Sequence, residues 1–165
     1  MRNYFIRLAN YNCWANQRIC EFIVNAGEEV SMLKQNSSFS TIRETVFHIW
    51  DAESIWLNRM KKEPVTNWPS KKCIGSTREG CDLMVLGSHD FKTLIESFDV
   101  DKFDDTLPYF NIKGDPFHST FTEIIAHVLN HSTFHRGQIV TMLRSAGFTD
   151  LQSTDLIAFY RDSGH

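Results

Sequence analysis

Residues 120–146, TFTEIIAHVLNHSTFHRGQIVTMLRSA, decide the fold. Ile124, Val128, His131, His135, Ile139 and Met142 fall on one stripe at the 3.6-residue period of an amphipathic helix. Gly147 stands where such a helix stops, because glycine readily takes the left-handed conformation that ends helices. The segment therefore reads as one long helix from about Thr120 to Ala146. Three histidines, His127, His131 and His135, recur on it at every fourth residue. Residues four apart lie on nearly the same face, about 6 Å apart along the axis, so two of these imidazoles can point at one place in space.

Working outward, residues 2 to 26 carry Phe5, Ile6, Ala9, Trp14, Ile19 and Ile23 at helical spacing and stop at Asn25-Ala26-Gly27. Ser40-Thr41 followed by Glu44 has the order of a capping box, and a further helix runs from there to about Met60 through Val46, Ile49, Ala52 and Ile55. Residues 61 to 87, with Pro64, Pro69, Gly75, Gly80 and Gly87, read as the longest connection between helices. Ser88-His89-Asp90 can cap a helix over FKTLIESF, with Leu83 to Leu86 leaving its upstream extent open. Leu107 to Ile112, around Lys113-Gly114-Asp115-Pro116, reads as a short irregular hairpin or extended loop. A last helix is expected over TDLIAFYRD, starting at Ser153 or Thr154. The fold class is therefore all-α, with residues 1–165 forming a single helical domain.

Composition bounds the function. The 165 residues are 42% hydrophobic and 22% charged, which is ordinary for a globular chain able to bury its own core. The net charge is -3 and the basic residues cluster no further than Lys61-Lys62 and Lys71-Lys72, so neither nucleic acid nor an anionic membrane is an expected partner. YFIRLANYNCW lacks the unbroken apolar run of a signal or spanning segment, and a cytoplasmic location is expected. Cys13, Cys20, Cys73 and Cys81 form no CxxC pair, so reduced, unreactive thiols are the default.

Imidazole is the commonest metal ligand, but two ligands bind weakly and a third must come from another helix. His48 is the best candidate, because Ala52 and Ile55, four and seven residues on, define an inward stripe with it. Three histidines would leave a coordination position open for water or substrate. Spacing alone leaves undecided whether the pair on the last long helix is 127/131 or 131/135, and a single core histidine is more often a packing residue than a ligand.

Three stretches together, YNCWANQRI (11–19), HIWDAESIWL (48–57) and HVLNHSTFHRGQIVTMLRSAG (127–147), resemble the DinB family. The resemblance implies a four-helix bundle with a long crossover and a short C-terminal helix, commonly a homodimer. It implies one divalent metal ion per chain, nickel or zinc, on His48, His131 and His135, with His127 on an extra position and, like Glu53, a candidate for supporting the ligands from behind. It also implies a metal-dependent enzyme, such as a transferase of low-molecular-weight thiols acting on a small-molecule substrate. The alternatives are a non-catalytic metal-binding or stress-associated bundle protein, or a metal-dependent hydrolase.

Ser132 occupies the place that the general-base glutamate takes in HExxH peptidases, so peptidase chemistry of that kind is not expected. Glu44, Asp51 and Glu53 are nearby acids whose default role is that of solvated surface charges, and the default for Arg136 is a surface or interhelical ion pair. Gly137 reads as a point of close helix approach. Trp14, Trp50, Trp56 and Phe134 read as core or dimer-interface residues.

Overall fold

Four long helices assemble side by side in the computed structural model, which describes residues 2–72 and 75–162. They are α1 (Arg2–Ala26), α3 (Ile42–Met60), α4 (Thr77–Ser97) and α5 (Phe121–Ser145), with the single-turn α2 (Glu28–Ser31) after α1 and α6 (Leu156–Asp162) at the end. α1 packs against α4 and α5, and α3 against the same two, so α1 lies diagonally across the bundle from α3. Among the described residues no helix is long and apolar enough to cross a membrane.

Local chemistry sets the helix starts. Thr41, Ser76 and Thr120 each accept from the backbone N–H three residues on, while Glu44, Glu79 and Glu123 reach back to the cap, so three of the long helices begin with a complete capping box. Glycines in the left-handed region stop α1 at Gly27 (φ 91°) and follow α5 at Gly147 (φ 96°).

The start of α4 corrects the reading of residues 61–87 and of Ser88-His89-Asp90. α4 is capped by Ser76, the connection is only 61–76, and Ser88 is buried in mid-helix. Gly80 and Gly87, which look like loop residues, are contact points. A Cβ at Gly80 would lie 3.1 Å from Phe47 Cζ, and one at Gly87 would lie 3.2 Å from Trp50 Cδ1. These glycines let α4 settle against α3. The longest connection is instead 98–120, which holds the antiparallel hairpin β1 (Thr106–Phe110) and β2 (Pro116–Thr120) in the register Thr106↔Thr120 to Phe110↔Pro116. Its turn is held by Asn111 Oδ1, which accepts from the N–H groups of Lys113 and Asp115. α6 begins two or three residues later than expected and docks on α1, where Phe159 meets Tyr11 and Trp14.

The core is divided. One apolar cluster, around Phe5, Phe91, Ile95, Phe103 and Ile125, fills one end, and another, around Ile19, Ile49, Met84, Ile139 and Leu143, fills the other. Between them lies a buried polar belt of Asn12, Asn16, Glu53, Ser88, Ser132 and Arg136. Residues 131–136 of α5 contribute both to this belt and, from an adjacent face, to the histidine cluster.

Candidate metal centre

His48 on α3 meets His131 and His135 on α5, and one ring nitrogen from each lies within 4.8 Å of the others. The ring centroids are 4.8 Å apart for His48 and His131, 4.6 Å for His48 and His135, and 4.4 Å for His131 and His135. His48 Nε2 and His131 Nε2 face each other at 3.0 Å. Two imidazole nitrogens bound at about 2.1 Å to one ion, at about 90 to 110°, stand about 3.0 to 3.4 Å apart. The donor set and its spacing therefore fit a divalent ion, and α3 and α5 are brought together at the right level to supply it.

Burial keeps the clustered imidazoles in their neutral form. Burial pushes the pKa of His48 down to about 4 and that of His131 down to about 3, and the neighbouring His135 adds to both shifts. His135 is also lowered by burial, opposed by its hydrogen bond to Gln138. Neutral imidazoles are the form that ligates metals. His135 Nδ1 lies 2.8 Å from Gln138 Oε1, while Gln138 Nε2 donates to Ser38 Oγ at 2.6 Å. The amide oxygen thus accepts a hydrogen bond from Nδ1–H, which leaves the lone pair of His135 on Nε2. His131 Nδ1 is buried and has no partner among the described residues.

Aromatic rings wall the cluster. Phe39, from the connection before α3, places its ring 4.3 Å from that of His48 and 5.8 Å from that of His135. Trp68, from the connection after α3, lies 6.3 Å from the His48 ring. Two cavities meet at His48, with Trp68 bordering both. One, of about 710 Å³, runs past Phe39, Arg43 and Asp51, and the other, of about 390 Å³, runs past Trp56, Arg59 and His131 toward the hairpin turn. Sequence reasoning does not single out Phe39 or Trp68 as parts of the site, and it sees Gln138 beside His135 without assigning it a role. The signals it offers are a single aromatic in each of the connections that flank α3 and a glutamine three residues after His135.

The remaining candidates separate. His127 is outside the three-histidine cluster, with its ring 5.7 Å from that of His131 and 5.8 Å from that of Trp56, and it lines the smaller cavity. Glu44 is an exposed capping residue, in keeping with its default role. Asp51 and Glu53 are not solvated. Asp51 accepts from Ser70 N and Oγ at 2.7 and 2.5 Å, which ties the Trp68 connection to α3, and burial raises its pKa.

Glu53 is fully buried and accepts from Asn12, Asn16 and Ser132 at one oxygen and from Ser88 at the other. Its contacts are with the belt, not with any of the clustered histidines, and Ser132, immediately after His131, is one of them. Arg136 is likewise not at the surface. It is 2% exposed, lies over the Tyr11 ring, and donates to Asn12 Oδ1 and Asn16 Oδ1 at 2.6 and 2.7 Å. The two asparagines bridge buried anion and buried cation, because a buried charge needs compensation that the apolar clusters cannot give.

Gly137 is exposed, and a Cβ at this position would meet nothing within 4 Å, so none of the described helices approaches it. Phe134 is 60% exposed and is not a core residue, whereas Trp14, Trp50 and Trp56 are half-buried. Cys13, Cys20 and Cys81 are free and buried, and burial pushes Cys13 up to about 12, which makes it a poor nucleophile; Cys73 lies outside the described residues.

The sequence profile of the DinB family matches residues 1–161. Protein DinB of Bacillus subtilis (strain 168) is 24% identical over 155 residues, covering 90% of this chain and 89% of the relative. A helical bundle with three convergent histidines, matched by the family profile over nearly its whole length, belongs to the DinB family.

Proposed function

We propose that this protein is a metal-dependent enzyme whose divalent ion, nickel or zinc, is held by His48, His131 and His135. The observation that carries the reading is the convergence of three imidazole nitrogens within 4.8 Å of one another where two cavities meet. Three protein ligands with an open position is the arrangement of catalytic ions, whereas structural ions are closed by four. An ion held there would lower the pKa of a coordinated water or low-molecular-weight thiol and so supply a nucleophile at neutral pH.

The chain's own residues supply positioning. Gln138 keeps the His135 lone pair on Nε2, Phe39 covers the His48 and His135 rings, and the two cavities give separate room for two reactants. Transfer of a thiol to an electrophilic carbon is the form we favour. Ser132, in the position of the HExxH base, is fully buried and committed to Glu53, which removes the usual base for peptide hydrolysis.

The test is turnover. Protein loaded with nickel or zinc and given cysteine and monobromobimane should form the thioether faster than the uncatalysed reaction, and His131→Ala should abolish the difference. A rate no higher than background with either metal, together with a large fall in melting temperature on metal removal, would identify the ion as a tie between α3 and α5 without catalysis.

A further inference from the structure

The smaller cavity, about 390 Å³, is of the size that encloses small organic ligands. Its walls come from α3, from the hairpin turn and from α5, and two of the three clustered histidines, His48 and His131, are among them. A molecule held there would have one end against the candidate metal centre. The other end is basic. Arg59 and Lys113 line the cavity, and among the described residues neither has a carboxylate within ion-pair distance. The acid in the wall, Asp115, is engaged by the turn, its Oδ2 accepting from Asn111 Nδ2 at 2.8 Å.

Arg59 is held as a rigid group. Its guanidinium lies 4.6 Å from the Trp56 ring centroid and 4.9 Å from that of Tyr109, and Nη2 donates to the Phe110 carbonyl at 2.9 Å. Among the described residues neither Nε, which is buried, nor Nη1 has a partner. Burial lowers the pKa of this guanidinium from its ordinary value, opposed by Tyr109. A cation partly stripped of water, fixed by aromatic rings and lacking an anion, gains most from a ligand that brings one. The planar fork matches a carboxylate with two parallel N–H bonds.

We propose that this cavity is the subsite for a carboxylate-bearing substrate, with Arg59 gripping the carboxylate, Lys113 assisting from the turn, and the reacting end directed at His48 and His131. The proposal deepens the metal-enzyme reading and rests on it for the role of the bound molecule, but carboxylate capture itself does not require the ion. Arg59 is thus a binding residue, and its contacts with the Trp56 and Tyr109 rings are what hold the fork in place.

The test uses the full chain, both zinc-loaded and metal-free, titrated with succinate and with its neutral diamide, with zinc stoichiometry measured on the same samples. Succinate should bind the wild type more tightly than the diamide does. Arg59→Gln should weaken succinate at least tenfold in both metal states while leaving zinc stoichiometry unchanged. Lys113→Ala, on the exposed turn, should weaken it several-fold, and the diamide should be indifferent to both changes. If Arg59→Gln melts below the wild type, Arg59→Lys carries the comparison, since it keeps the stem and the charge but not the fork, and an intermediate loss is expected.

The proposal is overturned by no measurable succinate binding to the wild type, by equal binding of the diamide, or by succinate affinity that ignores Arg59 and disappears only in His131→Ala. Absence of zinc uptake by the wild type would overturn the metal reading alone, because the metal-free titration still decides the role of Arg59.

Discussion

Gln138 shows how much of the site's behaviour one side chain carries. Its oxygen accepts a hydrogen bond from Nδ1–H of His135 and its nitrogen donates to Ser38, so the pair of bonds fixes both the ring's tautomer and its orientation. Partners of this kind typically matter 10- to 100-fold in metal affinity, roughly what Gln138→Leu should cost in competition with a chromophoric chelator. An unchanged affinity would show that His135 needs no such support. Glu53 carries a different burden. Glu53→Ala would leave Arg136 buried without its balancing charge and should cost about 3 kcal/mol or more in urea unfolding, and Glu53→Gln distinctly less. From sequence, the default for the acid is a surface charge and for the arginine a surface or interhelical ion pair, because nothing local in HIWDAESIWL or FHRGQ reveals that α1 brings Asn12 and Asn16 between them. Burial of a charge is a property of its distant neighbours, and those become known only with the fold.

Helix periodicity, by contrast, is local, and α1, α3 and α5 are legible from it almost to the residue. α4 is the exception, and the reason is glycine. A glycine breaks a helix in isolation, but Gly80 and Gly87 sit where α4 presses on Phe47 and Trp50, and the packing outweighs a propensity cost of about 1 kcal/mol each. Gly87→Ala should therefore gain nothing from its better propensity and should lower the melting temperature, since its Cβ would meet Trp50 at 3.2 Å. Gly137→Ala is the control on the same principle. With open space around it on the exposed face of α5, it should stabilise the fold by up to about 1 kcal/mol and leave metal content unchanged. A fall in thermal stability at Gly137 would mean that another surface rests on this face. The Ser76/Glu79 capping box that starts α4 is present in the sequence, but it is hidden among residues that otherwise read as a connection.

For the bundle as a unit, the histidines couple protons to stability. The folded, metal-free chain keeps His48 and His131 neutral to about pH 4 and about pH 3, while unfolded imidazole takes up protons near pH 6.5. The unfolded state therefore binds more protons between these values. Stability from this source is complete above about pH 6.5 and is lost as pH falls toward 4 and then 3, which urea melts of metal-free protein across that range should show, with a flatter profile for His48→Ala/His131→Ala. A bound ion opposes the same loss by mass action, worth about 2.7 kcal/mol at a hundredfold excess over Kd. The candidate ligand set is legible only in part: spacing gives a histidine pair on one helix and the inward stripe points to His48 as the third, while the resemblance is needed to choose His131 and His135 over His127. The measurement that decides the matter is elemental analysis of untagged protein purified without added metal, beside a folded His48→Ala/His131→Ala/His135→Ala variant. About one nickel or zinc per chain, lost in the variant, is the predicted result; no bound metal, and no uptake on titration, would contradict the metal centre and the function built on it.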